Sequence, residues 1–215
     1  MVTSHEEINS NEAEPLVRRL SLEEFAAVAE ALPDDRLELI NEEIIMSPPP
    51  DKAHMALADR ILELFAYHMK GMAALRCQIS GSRYYALPAE LKQRWVDETT
   101  EGPNSVCPDV SIYYLDYLET DHRPPAPLMI EVISLSKREH IDRDLITKAD
   151  IYAALEIPAY WVVDQRDASV WVYTGPSGGK YAVREQFKGD RALPCPELEF
   201  LSITAAQIFE RLGSP

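Results

Sequence analysis

At 215 residues, 46% hydrophobic and 27% charged, the chain has the make-up of an ordinary globular protein, with length for one domain. Its formal net charge of -15 argues against the broad basic face by which proteins adhere to nucleic acid. No apolar run approaches a membrane span, and the polar, acidic N-terminus lacks the basic and apolar regions of a signal peptide, so a cytoplasmic protein is expected. The acidity is uneven: residues 1–50 hold twelve Asp or Glu against three Lys or Arg. Cys77, Cys107 and Cys195 have no CxxC spacing and read as reduced, structural thiols.

Residues 1–17 show no periodicity and read as a loose acidic tail ahead of a single domain over 18–215. In "SLEEFAAVAEAL", Ser21 and Glu24 make a capping box that opens a short amphipathic helix, and Pro33 closes it. "RLELINEEIIMS" alternates as a strand or hairpin, ended by the prolines at 48–50. A second helix follows, with Leu57, Ile61, Leu64, Phe65 and His68 at helical spacing. Strands are expected at "SRYYAL", "DVSIYYL" and "PLMIEVI", separated by loops that include "ETTEGPNS" and "TDHRPPAP". "HIDRDLITKADIYAALEI" returns to helical period until Pro158, followed by strands "AYWVVD", "SVWVYT" and "YAVREQF" and a terminal helix "ITAAQIFERL". This order predicts an α/β or α+β fold, a sheet with helices on its faces. "GPSGGKY" imitates a phosphate loop, but its spacing is one residue short, Tyr181 replaces the hydroxyl residue and strands flank it, so it reads as a hairpin turn.

Chemistry concentrates elsewhere. Asp109 follows a proline and precedes an apolar run, where it is either a turn residue or a ligand. Glu131 lies mid-strand among apolar neighbours, where an ionised carboxylate is costly unless paired, hydrogen bonded or bound to a cation. Two acids on consecutive strands suit a hard divalent ion, Mg2+ or Mn2+, able to polarise a phosphoryl oxygen and activate water. A cation beside that water is expected two residues after the glutamate, but that position is Ile133. Lys148, on the following helix and on the side of Ile141, Leu145 and Tyr152, can supply the ammonium instead; a surface ion pair with Asp144 is the plainer explanation.

The stretches "RLELINEEIIMSPPPDKAH", "CPDVSIYYL" and "PLMIEVISLSKREHIDRDLITKADIYAALEIPAYWVVD" resemble the Uma2 family of the PD-(D/E)XK, restriction-endonuclease-like superfamily, over roughly residues 20–165. The matching positions are Glu38, His54, Pro108 with Asp109, Glu131 with Ser134, Lys148 with Tyr152, and Tyr160 with Trp161. The resemblance implies a mixed central sheet flanked by helices and a divalent-metal-dependent endonuclease. Asp109 and Glu131 would bind the metal, Lys148 would serve the attacking water, and Glu38 and His54 would be further site members. Asn41, Glu42 and Glu43 replace the family's Asp-Gly-Glu turn, Cys107 a frequent arginine, and Ala159 a glutamate. Tyr152 and Trp161 read as core, and Ser134 as the start of a turn. The expected partner is nucleic acid, DNA above RNA. Cutting both strands of a duplex would suit a homodimer, though nothing in the chain demands one. The rival reading is an idle member of the fold that binds nucleic acid or protein, favoured by the acidity and the missing strand lysine.

Overall fold

Alternation in "RLELI" decides how the first strand sits: Leu37 and Leu39 face one side, Arg36 and Glu38 the other. The computed structural model describes residues 20–32, 36–47, 50–71, 75–79, 85–87, 104–114, 126–133 and 141–210; the expected tail, Ser134 and the end of the terminal helix lie outside these. Strand β1 (Arg36–Ile40) lays Leu37 and Leu39 against Phe25 of helix α1 (Leu22–Ala31), which opens on the expected Ser21–Glu24 capping box. A two-residue turn at Asn41 and Glu42, both with positive φ (51° and 69°), leads into β2 (Glu43–Ser47). The backbone therefore keeps the left-handed turn that a glycine would ease, without the glycine.

Two sheets form. The smaller has the order β2-β1-β5-β4, with β4 at Tyr85–Leu87 and β5 at Asn104–Val106. The larger, six-stranded, has the order β10-β9-β8-β7-β6-β3, built from β3 (Leu75–Ile79), β6 (Val110–Tyr114), β7 (Leu128–Val132), β8 (Ala159–Asp164), β9 (Ser169–Ser177) and β10 (Lys180–Phe187). It is mixed, because β7 and β8 run parallel while its other pairs are antiparallel. Helices α2 (Lys52–His68) and α4 (Ala205–Phe209) cover one face through Ile61, Phe65 and Ile208. Helix α3 (Lys148–Ala154) covers the other through Ile151 and Tyr152. The expected fold class holds, with two corrections. "ETTEGPNS" is not wholly loop, since Asn104–Val106 is a buried strand of three residues, too few for periodicity to register; β3 is absent from the expected elements although "LRCQI" alternates Leu75, Cys77 and Ile79 with Arg76 and Gln78.

The glycine-rich decoy is a hairpin turn between β9 and β10, with Gly178 and Gly179 at φ 57° and 74°. Tyr181 there is structural, its hydroxyl donating to the Ile157 carbonyl. Among the described residues no helix is long and apolar enough to cross a membrane.

Candidate active site

Strand β7 sends Leu128, Ile130 and Val132 toward the α2 core and Met129, Glu131 and Ile133 toward α3. Glu131 is thereby held in the interior, 1% exposed. Val110 of β6 pairs with Ile130 of β7, which brings Asp109, one residue ahead of β6, beside the end of β7. There the Val132 N–H donates to Asp109 Oδ2 at 2.7 Å. A carboxylate bonded across strands and 3% exposed is not a plain turn residue.

The other three expected side chains converge on the same point. Lys148 lies at the first position of α3, 1% exposed, and its Nζ donates to Glu131 Oε1 at 2.8 Å. The same ammonium stands 2.9 Å from Glu38 Oε1, which also accepts the Cys107 N–H at 3.0 Å. His54, in the first turn of α2, has its backbone N–H capped by Asp51 and its Nε2 3.2 Å from Asp109 Oδ1. So β1, α2, the residue ahead of β6, β7 and α3 each contribute one of the five.

The expected surface pair of Lys148 with Asp144 is corrected: the two stand 3.8 Å apart, but both are buried. Tyr152 is core, as expected, and also donates its hydroxyl to Glu131 Oε1 at 2.9 Å. Two site members escaped the sequence reading. Arg36 donates from Nη1 to Asp109 Oδ1 at 2.6 Å and from Nη2 to the Cys107 carbonyl at 3.0 Å, and Nη2 lies 3.7 Å from Glu131 Oε2. Its signal was there: it sits two residues before Glu38 in an alternating strand, hence on the same face. Asp144 belongs to a π-helical turn, Arg143–Thr147, that runs directly into α3. The Lys148 N–H donates to the Arg143 carbonyl, a π-type bond at the site lysine itself. Tyr160 donates to the Asp144 carbonyl and Tyr173 to that of Leu145, tying this turn to the sheet.

Four buried acids stand among Arg36, Arg143 and Lys148. Burial pushes Glu131 up to about 8, opposed by Lys148 and reinforced by Asp109, Asp144 and Glu38. Burial likewise pushes Asp144 up to about 6, against Lys148 and Arg143. For Asp109, burial is outweighed by the Arg36 guanidinium and the His54 contact, which hold it well below the usual carboxylate range. Glu38 is lowered too, because Lys148 and Arg36 outweigh its burial. Lys148 stays charged despite burial, through Glu131, Glu38 and Asp144.

A cavity of about 30 Å³ opens among Arg36, His54, Asp109, Glu131, Asp144 and Lys148. That suffices for a water or a small ion but not for a nucleotide, so a substrate would meet the site at its mouth. Among the described residues no three His, Cys, Asp or Glu side chains are grouped to hold a metal. The donors are nonetheless of the right chemistry. Asp109 Oδ1 and Glu131 Oε2 both turn toward one guanidinium, which marks a place where these residues already accommodate a positive charge. The oxygen donors are thus of the kind that suits a hard cation.

A family model for Uma2, described as "Putative restriction endonuclease", matches residues 22–206. Among solved structures, the chain is similar to one described as "a putative nuclease belonging to DUF820 from Anabaena variabilis ATCC 29413", at 20% sequence identity and a TM-score of 0.60. That likeness covers 88% of this chain and 97% of the other, and establishes the shared fold. The comparison with curated proteins found no match.

Proposed function

The chain belongs to the Uma2 family, and from that premise we propose that it is a divalent-metal-dependent endonuclease that hydrolyses phosphodiester bonds, with DNA as substrate and Asp109, Glu131 and Lys148 as its working residues. The observation that supports this best is the convergence of two buried carboxylates from adjacent strands with a buried ammonium 2.8 Å from one of them. Buried charge on this scale is costly, and removing either partner of a pair leaves the other uncompensated.

Asp109 and Glu131 would hold Mg2+ or Mn2+, and the bound ion would polarise a phosphoryl oxygen and lower the pKa of a coordinated water. Lys148 orients Glu131 through Oε1 and would offer a fixed positive charge to the pentacoordinate phosphorane-like transition state. Glu38 shares that ammonium and anchors it to the Cys107 backbone, while Tyr152 fixes the rotamer of Glu131. His54 braces Asp109. Ile133, two residues after Glu131, is fully buried in the α3 core, so the helix supplies what the strand does not.

One observation favours the idle, nucleic-acid- or protein-binding reading: Arg36 already compensates the two ligand carboxylates. Turnover decides between them. Wild type should nick supercoiled plasmid in Mg2+ or Mn2+ and lose that activity in chelator and in Asp109→Asn. Absence of cleavage of duplex DNA, single-stranded DNA and RNA alike would favour the binding module.

A further inference from the structure

We propose that Arg36 is a resident counter-ion: its guanidinium takes the cation's place between Asp109 and Glu131 in the metal-free protein and swings out when a divalent ion enters. This rests on the metal-dependent reading above. The guanidinium reaches one oxygen of each carboxylate, Asp109 Oδ1 at 2.6 Å and Glu131 Oε2 at 3.7 Å, and these are the oxygens an ion shared by the two acids would need. Without a positive charge there, two buried carboxylates would face each other across the cavity.

Arg36 is also built to leave. Its side chain is 19% exposed, against 3% for Asp109, 2% for Glu131 and 1% for Lys148, so it alone of these four has an open path to solvent. It stands at the first position of β1, at the cavity lining, on a long flexible stem. Lys148, by contrast, is enclosed by Glu38, Glu131 and Asp144 and has nowhere to go. A divalent ion concentrates twice the charge in a smaller radius, so it outcompetes a guanidinium for hard oxygens. The cost appears as affinity: the ion binds only the fraction of molecules in which Arg36 has swung away, and its apparent Kd is the intrinsic Kd divided by that fraction.

Two measurements test this. Calorimetric titration with Mn2+ should show Arg36→Gln binding about tenfold more tightly than wild type, because the competitor is gone. A crystal structure of wild type grown with Mn2+ should show the ion on Asp109 and Glu131 and the guanidinium off Asp109 Oδ1. Binding no tighter in Arg36→Gln, or a guanidinium still on Asp109 beside a bound ion, would overturn the counter-ion while leaving the metal site standing. If Arg36→Gln does not fold, the wild-type structure decides alone. Mn2+ bound to neither protein would remove the metal-dependent reading and this inference together.

Discussion

Glu131 accepts from Lys148 and Tyr152 at one oxygen and faces Arg36 with the other, so each neighbour's removal has a different cost. Lys148→Met keeps the aliphatic stem but strands Glu38, Glu131 and Asp144 without their shared cation. We expect a stability loss of about 3–5 kcal/mol by denaturant titration and, in protein that remains folded, turnover reduced by roughly a hundredfold or more. Equal plasmid cleavage by wild type and Lys148→Met would remove the lysine from the mechanism.

Protonation of these acids gives a second test. Glu131 and Asp144 have folded pKa values above their ordinary 4.5 and 3.8, so their contribution to stability is full below those values and is lost as pH rises through about 6 for Asp144 and about 8 for Glu131. Asp109 and Glu38 are lowered and act oppositely, losing their contribution as pH falls below the ordinary range. In chelator the midpoint of thermal unfolding should therefore decline from about pH 4.5, with Asp144 contributing up to about 6 and Glu131 up to about 8, and Glu131→Gln should abolish the decline above pH 6. A midpoint constant across the window in wild type would contradict the raised pKa values of these two acids.

At the scale of elements, the π-helical turn ahead of α3 sets where Asp144 and Lys148 stand, and two tyrosines from the sheet hold it. Tyr160→Phe leaves the Asp144 carbonyl short of a donor and should cost about 1 kcal/mol. Turnover should fall further than that loss explains, because the turn carries site residues. Activity unchanged in a destabilised Tyr160→Phe would make the tyrosine a packing residue only.

The sequence was most legible where a residue violated its local pattern. A glutamate inside "LMIEV" and an aspartate before "VSIYY" stand out because charge in an apolar strand needs a reason. Arg36 stayed hidden because an arginine at the first position of a strand breaks no pattern. Asp144 is ambiguous in sequence: a carboxylate four residues before a lysine describes a solvated pair as well as a buried one, and nothing in "RDLIT" announces a π turn. The three residues of β5 carry no readable period, and without β5 the smaller sheet that presents Glu38 and Arg36 to the site stays hidden, whereas "LRCQI" of β3 alternates over as many residues as β1.

Across the whole molecule, the site lies where two sheets and α3 meet: the smaller sheet brings Arg36 and Glu38, the larger brings Glu131, and the residue ahead of β6 brings Asp109. The net charge of -15 gives little general attraction for a polyanion. A divalent ion at the cavity mouth would then serve substrate capture as well as hydrolysis. The central claim is that Asp109 and Glu131 share that ion, and calorimetric titration of Mn2+ into wild type, Asp109→Asn and Glu131→Gln tests it most directly. The account predicts one ion bound per wild-type chain and none in either variant, with circular dichroism reporting both variants folded. Undiminished Mn2+ binding by the two folded variants would contradict it.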